Sequence, residues 1–249
     1  MILLPILRVP LKLLRLKLCY ANIFFRDINL RGIVVESITS VSKTVVVCVA
    51  GFEGLSSTAP TFLNLTEELL LSAAIPIAEV FRYDSTGIGL SDGKYYKMTI
   101  ATLVDDLTHA IDYLLNSYKK IIFVGHSLGS CIISQFLNST GNYFHIEKII
   151  LLAPALDQHD LHRYCKPIDV CKSYRARLCS QEDFSFKLND YENHILHMHG
   201  NQDFVVPIES IKRPLKHTLI VNTNDHDLEE PDILQERTIK TVEFICRNE

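Results

Sequence analysis

The sequence of 249 residues lacks an excess of basic residues, a C-x-x-C pair, an internal repeat and a low-complexity linker. Its formal net charge is −4, which disfavours a DNA or RNA partner, because nucleic-acid-binding domains usually carry a basic surface. The seven cysteines are odd in number and scattered, so they predict reduced thiols and a cytoplasmic setting instead of a disulfide scaffold. The length and the hydrophobic fraction of 47% are those of a globular domain with one large core.

The sequence also lacks a long uninterrupted apolar run. Residues 1–18, MILLPILRVPLKLLRLKL, are rich in leucine, but two prolines and four basic residues interrupt them. The run falls short of the roughly 20 residues of a spanning helix and lacks the order of a secretory signal. Leucines at helical spacing between basic residues are typical of a segment that contacts a membrane surface, whereas the prolines favour an extension packed on the body or partly disordered. We predict an N-terminal extension over 1–18, with peripheral membrane contact as the alternative, and a single domain over 19–249.

From residue 19 onward, strand patterns alternate with helical patterns. The runs Ala21–Phe25 and Asn29–Val35 predict an antiparallel pair, and the apolar run Thr44–Ala50 predicts a strand buried on both faces. Further predicted strands are Ile77–Tyr83, Ile121–Val124, Lys148–Leu152, His194–His199 and His217–Asn222, and the predicted helices follow Pro60, Thr99, Ser127 and Pro231. This alternation predicts an α/β fold with a mostly parallel sheet of about eight strands and helices on both faces. In such sheets, reactive groups collect beyond the carboxyl ends of the strands.

The segment GHSLG, Gly125–Gly129, stands directly after the apolar run IIFV and directly before a helical pattern. This G-x-S-x-G pattern is typical of a nucleophile elbow, in which Gly125 and Gly129 let the chain pass close to the serine. Ser127 is therefore the predicted nucleophile, and the N-terminus of the next helix favours developing negative charge. An ordinary glycine and serine turn is the alternative.

A serine nucleophile needs a general base and an acid that orients the base, and in this kind of fold the chain order is serine, acid, histidine. Asp203 follows the predicted strand HILHMHG, and His226 follows the predicted strand HTLIVN. We therefore predict His226 as the general base and Asp203 as its orienting acid. Asp84 also follows a strand and is the alternative acid; its other role would be to fix the turn over residues 84–93.

Other titratable residues near these strands are expected to have structural roles. His194, His197 and His199 lie within or at the end of one predicted strand, where histidines are usually packed or hydrogen-bonded. Asp225 and Asp227 flank the predicted base and are expected to be solvated or structural.

Acyl transfer also needs hydrogen-bond donors for the oxyanion. We expect one donor to be the backbone N–H of Leu128, the residue after the nucleophile. The second is expected to be the N–H of Phe52, in the glycine-containing turn after the strand Thr44–Ala50.

Residues 155–190 lose the hydrophobic periodicity and become polar, which predicts a small lid insertion over the serine. His159, His162 and Cys165 have a spacing compatible with zinc, but the segment offers no obvious fourth ligand. We therefore predict no metal and no cofactor.

Six segments of the chain resemble the α/β-hydrolase superfamily: AGFEG, FRYDSTGIGLSDGKYYKMT, FVGHSLGS, LLAPA, MHGNQDFVVP and NDH. Within it the sequence looks most similar to cinnamoyl (feruloyl) esterases and the related serine aminopeptidase and monoacylglycerol-lipase-like hydrolases. The resemblance implies an α/β-hydrolase fold from about residue 19 onward, with Ser127, Asp203 and His226 as the triad. Ala50 stands where the family usually has histidine, Thr86 stands where it commonly has arginine, and the predicted lid is short for a feruloyl esterase.

These residues predict a serine hydrolase that cleaves a small-molecule carboxylic ester through an acyl-enzyme. Two alternatives stay open. One is an aminopeptidase or amidase of the same fold, with Glu182 and Asp183 as candidates to bind a substrate amine. The other is a non-catalytic binding protein that has retained the fold.

Overall fold

The computed structural model describes residues 16–25, 27–38, 40–52, 54–71, 77–140, 145–156, 188–211 and 215–247. The strands are β1 Leu16–Phe25, β2 Ile28–Ser37, β3 Thr44–Val49, β4 Glu79–Tyr83, β5 Lys120–His126, β6 Ile146–Leu152, β7 Ile195–Gly200 and β8 His217–Val221. The α-helices of this part of the chain are α1 Pro60–Leu71, α2 Ile100–Leu115, α3 Leu128–Thr140 and α4 Pro231–Cys246. Short 3₁₀ helices cover Tyr95–Lys97, Asn189–His194 and Ile208–Ser210.

The eight strands form one sheet in the order β1-β2-β4-β3-β5-β6-β7-β8. β2 pairs antiparallel with β1 and β4, and the remaining neighbours pair parallel. The chain reverses between β1 and β2 within two residues, where Asp27 adopts a left-handed φ of 62°. Parallel neighbours need crossover connections; α1 lies in the connection between β3 and β4, and α3 lies in the connection between β5 and β6. The predicted α/β-hydrolase fold, with a mostly parallel sheet of eight strands, is confirmed.

Both faces of the sheet are covered, because successive side chains of a strand point to opposite sides. Every residue of β3 is buried. Val45, Val47 and Val49 pack with residues of α2 and α3 on one face, whereas Val46 and Cys48 pack with residues of α1 and α4 on the other. The continuous apolar run of β3 therefore follows from its central position between two layers of helices.

The structure moves the predicted boundary between the N-terminal extension and the domain. β1 begins at Leu16, so the last three residues of the predicted extension 1–18 belong to the sheet. Residues 1–15 lie outside the described residues, as does most of the predicted lid 155–190 with its histidines, cysteine and acids. In the described part of the chain, no helix has the length and apolar character needed to cross a membrane.

Thr99 caps α2 and offers a test of the predicted helix start. Its side chain accepts a hydrogen bond from the N–H of Thr102 at 3.1 Å, and its own N–H donates to Thr102 Oγ1 at 2.8 Å. The substitution Thr99→Ala removes the side-chain acceptor of the Thr102 N–H and leaves the backbone N–H of residue 99 in place, so we expect the free energy of unfolding in urea to fall by about 1 kcal/mol. The matched control is Thr108→Ala, because Thr108 bonds only to the Val104 carbonyl within the helix. Equal stability of the two variants would contradict the cap.

Candidate active site

Ser127 is the single residue between the end of β5 and the start of α3. Its φ of 50° lies in the left-handed region, which is uncommon for a residue with a side chain. The Ser127 N–H donates to the Leu152 carbonyl at 2.9 Å, and the Ser127 carbonyl accepts from the Ala155 N–H at 3.2 Å. The turn is thereby tied to the end of β6, and the serine stands at the carboxyl edge of the sheet.

The two glycines of this turn are required by close approaches of the backbone. A Cβ atom at Gly129 would collide with the carbonyl oxygens of Val49 and Ala50. A Cβ atom at Gly125 would lie 3.0 Å from the backbone of Ser130. The glycines therefore let the start of α3 pack directly against the end of β3, as a nucleophile elbow needs.

The segment after β3 passes directly beside the serine. A Cβ atom at Gly51 would lie 3.0 Å from Ser127 Cβ, and a turn is closed by the Gly54 N–H, which donates to the Gly51 carbonyl at 3.1 Å. Phe52 follows Gly51 and lines the same cavity as Ser127. Leu128 is buried at the first position of α3. The two predicted oxyanion donors thus belong to the two segments that meet at Ser127.

Asp203 and His226 are hydrogen-bonded, with 2.7 Å between His226 Nδ1 and Asp203 Oδ2. The other carboxylate oxygen, Oδ1, accepts the N–H groups of Val205 and Val206 at 2.8 and 3.0 Å. Burial alone would raise the pKa of Asp203, but the approach of the N–H groups of His199, His226 and Val206 outweighs burial and holds this pKa well below its usual range. An ionised carboxylate only accepts hydrogen bonds, so His226 carries its proton on Nδ1 and directs Nε2 to other partners.

The segments that carry Asp203 and His226 are bonded to each other. The Asn201 N–H donates to the Val221 carbonyl at 2.9 Å, and the Gln202 N–H donates to the Thr223 carbonyl at 3.1 Å. A Cβ atom at Gly200 would lie 2.7 Å from the same Thr223 oxygen. The acid and the histidine are therefore held at a fixed separation by the backbone at the ends of β7 and β8.

Ser127 and His226 both line one cavity of about 370 Å³. Its walls combine apolar side chains with two carboxylates: Ala50, Phe52, Ala59, Phe62, Val205, Asp227 and Glu229. Such a mixture of an apolar surface with a few polar groups is typical of a small-molecule site.

Asp84, the alternative acid, has another role. Its carboxylate accepts the Ser57 N–H at 3.0 Å, the Ser57 hydroxyl at 2.8 Å and the Leu90 N–H at 3.1 Å. A Cβ atom at Gly89 would collide with this carboxylate. Asp84 therefore fixes the turn over residues 84–93, which was its other predicted role, and Asp203 is the acid that contacts His226.

His126 is a site residue that the sequence reasoning missed. Its Nε2 lies 3.1 Å from the carbonyl oxygen of His226 and 3.4 Å from Asp227 Oδ1. Burial, followed by the neighbouring His226, lowers the pKa of His126 to about 4. The neutral ring donates to the His226 carbonyl and thus ties the residue before the nucleophile to the backbone of the histidine. The only signal in the sequence is its position next to Ser127.

Arg237, on α4, was also missed. It is 1% exposed and donates to the Asp227 carbonyl at 3.2 Å and to the Thr61 carbonyl at 3.1 Å. Burial lowers the pKa of Arg237 to about 10, so the guanidinium stays charged at neutral pH. Asp225 accepts the N–H groups of Asp227, Glu229 and Glu230, the structural role expected for it. Arg237 and Asp225 therefore both hold the segment after His226 in place.

Among the described residues, no set of three or more histidine, cysteine, aspartate or glutamate side chains is placed to hold a metal ion. His159, His162 and Cys165 lie outside these residues.

The strand order, the strand-to-helix turn at Ser127, and an acid and a histidine after β7 and β8 define the α/β-hydrolase class. The profile of one family of this class, described as serine aminopeptidase S33, matches residues 43–181, more than half of the chain. The chain belongs to this family of hydrolases. No sequence among the curated proteins matches it.

Solved structures share the fold over almost the whole chain. Est1E from Butyrivibrio proteoclasticus, with ferulic acid bound, matches 91% of this chain and 100% of its own, with a TM-score of 0.71 and 20% identity. The Pyrococcus furiosus esterase Pf2001 matches over 92% and 90%, with a TM-score of 0.68 and 16% identity. Mouse alpha/beta hydrolase domain-containing protein 10 matches over 91% and 98%, with a TM-score of 0.65 and 15% identity. At these identities, the likeness shows the fold alone.

A pair of buried histidines on β7 lies behind Asp203. His197 Nε2 is 3.2 Å from His199 Nδ1, and both side chains are buried, so the expectation that they are hydrogen-bonded is confirmed. Burial, followed by the neighbouring His199, lowers the pKa of His197 to about 3. An unfolded chain would bind a proton at this histidine below a pH of about 6.5, whereas the folded protein would not.

The folded protein is therefore expected to lose stability as the pH falls below about 6.5. In urea unfolding between pH 6.5 and 5, the stability difference between wild type and His197→Gln should shrink by up to about 1.4 kcal/mol per pH unit, since glutamine does not titrate. The comparison with the variant is needed because Asp106, whose pKa burial raises to about 6, acts in the opposite direction. Parallel stability curves for the two proteins would contradict the prediction.

Proposed function

We propose that the protein hydrolyses small-molecule carboxylic esters with Ser127 as nucleophile, His226 as general base and Asp203 as the orienting acid. The observation that carries the proposal is the 2.7 Å hydrogen bond from His226 Nδ1 to the buried, ionised Asp203, beside a cavity that His226 shares with Ser127. A histidine whose Nδ1–H is occupied in this way has Nε2 as its basic nitrogen.

In the proposed reaction, His226 Nε2 removes the hydroxyl proton of Ser127 as Oγ attacks the ester carbonyl carbon. The carbonyl oxygen becomes an oxyanion, which the N–H groups of Leu128 and Phe52 stabilise. When the intermediate collapses, the bond to the alcohol oxygen breaks, and His226 returns its proton to the leaving alkoxide. Water then attacks the acyl-enzyme by the same route and releases the carboxylic acid and free Ser127.

Two observations favour esters as the substrates. The cavity wall is largely apolar around Phe52, Phe62 and Val205, which suits an acyl or aryl group. Among the structures that share the fold, one is an esterase and another holds ferulic acid. From these similar structures we extend ester cleavage to this chain.

A peptidase or amidase is the second candidate, because the family is described as serine aminopeptidases. Asp227 lines the cavity and its side chain is 60% exposed, so its carboxylate could face a substrate amine. Turnover of aminoacyl anilides without turnover of esters would favour this candidate. A non-catalytic binding protein would leave Ser127 unreactive toward a fluorophosphonate probe.

The proposal is tested by hydrolysis of p-nitrophenyl esters from acetate to decanoate. We expect Ser127→Ala to lower kcat by roughly 10⁴- to 10⁶-fold, because the nucleophile is lost. The matched control is Ser139→Ala, near the end of α3, whose hydroxyl bonds to the Phe136 carbonyl of the same helix. Equal rates for wild type and Ser127→Ala would overturn the assignment of the nucleophile.

The oxyanion site has its own test in Gly51→Ala. The new Cβ would lie 3.0 Å from Ser127 Cβ and 3.2 Å from His126 Nδ1, so the segment that carries the Phe52 N–H must move away from the serine. Loss of one oxyanion donor costs roughly 10²- to 10³-fold in kcat, and we expect a fall of up to that size with little change in KM. Thermal unfolding of the variant serves as the control for folding. An unchanged kcat would exclude Phe52 as a donor.

A further inference from the structure

Asp203 is approached by a second histidine, His199, which does not line the cavity that Ser127 and His226 share. His199 is 0% exposed and is the penultimate residue of β7, directly before Gly200. Its Nε2 lies 2.7 Å from the carbonyl oxygen of Val206 and 3.5 Å from Asp203 Oδ2. This Oδ2 atom is the same oxygen that accepts the hydrogen bond from His226.

The hydrogen-bond partners assign the proton of His199. A carbonyl oxygen only accepts, so Nε2 of His199 carries a hydrogen and donates it to Val206. Nδ1 of His199 then accepts from Nε2 of His197, at 3.2 Å. Nδ1 of His197 in turn faces the Thr218 hydroxyl, at 3.4 Å. Both histidines therefore take the same tautomer, with hydrogen on Nε2. They form a row of hydrogen bonds that runs from His197 through His199 to the carbonyl of Val206.

Val206 links this row to the acid through its backbone. Its carbonyl accepts from His199, while its N–H donates to Asp203 Oδ1 at 3.0 Å. The His199 side chain thus holds the peptide groups around Val206. Val206 and both histidines are buried. The 3.5 Å approach to Oδ2 is too long for a hydrogen bond, but it places the positive end of an N–H group beside the carboxylate.

We propose that His199 is a positioning residue for the hydrolysis, acting through Asp203, and that His197 fixes the tautomer in which it does so. The proposal rests on the proposed function. His199 holds the segment from Asp203 to Val206 in the geometry that points Oδ2 at His226. Its N–H group also stabilises the negative charge on Oδ2, so that Asp203 attracts the proton of His226 less strongly.

The kinetic test compares His199→Phe with His199→Gln. Phenylalanine has no donor, whereas a glutamine amide can place an N–H near the position of the histidine Nε2. Because removing the acid of a triad costs about 10⁴-fold, we expect loss of a group that acts through the acid to lower kcat by roughly 10- to 100-fold. KM should stay within about threefold, since His199 touches no substrate. The acidic limb of the kcat/KM profile should move to higher pH in His199→Phe, and His199→Gln should restore most of both effects.

The matched control is His194→Phe, at the last residue of the 3₁₀ helix that precedes β7. His194 Nδ1 bonds to the Glu147 carbonyl at 2.9 Å, at the opposite end of β7 from Asp203. A structural loss caused by replacing a hydrogen-bonded histidine at either end of β7 would lower stability in both variants but would not move the pH profile. Unchanged kcat and an unchanged acidic limb in His199→Phe would overturn the proposal, as would failure of glutamine to restore them.

A second measurement needs neither a variant nor a substrate. In wild-type protein with ¹⁵N-labelled histidine, NMR is expected to show both His197 and His199 with hydrogen on Nε2. Hydrogen on Nδ1 of His199 would overturn the role of His199 while leaving ester hydrolysis intact. If esters are not cleaved but His199→Phe slows fluorophosphonate labelling of Ser127, the substrate class fails and the role of His199 stands.

Discussion

The left-handed backbone at Ser127 is the constraint on which the rest of the site depends. A side-chain-bearing residue in this region costs roughly 1–3 kcal/mol and persists only when the surroundings fix it. Here β5 and α3 enclose the serine on both sides, and the end of β6 binds its N–H and its carbonyl. The neighbouring glycines follow from the same constraint, because Gly51 and Gly129 lie where β3 and its following segment press against the turn.

Around this turn, three histidines act as oriented hydrogen-bond donors. His226 donates to Asp203, His126 donates to the backbone of His226, and His199 donates to the backbone of Val206. Asp203 accepts from His226 directly and also accepts the N–H of Val206, the residue whose carbonyl His199 holds. The lowered pKa of Asp203 keeps it ionised at neutral pH. An N–H group in a buried site of low dielectric interacts more strongly with an acceptor than it would in water. A buried donor therefore positions the acid without placing a second charge beside it.

Much of this architecture could be predicted from local sequence. The apolar run of β3, the Thr99 cap, and the serine, acid and histidine after β5, β7 and β8 are all local patterns. The contacts of His126 and His199 could not be predicted, since they join residues through the fold; His126 and His226 are 100 positions apart. The start of β1 was misplaced because Leu18 and Tyr20 point to solvent from an edge strand, so their pattern resembles an amphipathic extension.

One departure from the family pattern lies in the turn after β4, and another lies on the wall of the cavity that Ser127 and His226 share. Thr86 donates from its N–H and its hydroxyl to Asp106, both at 2.7 Å, and so stabilises the turn after β4 without an arginine. Ala50 lines the cavity beside Gly51, where a histidine would project further than a methyl group. The chain therefore retains the strand-end groups that the chemistry needs, and differs in a wall that a substrate would touch. Because the groups that bind a substrate are separable from those that act on it, such a change alters which substrate is accepted before it alters the chemistry.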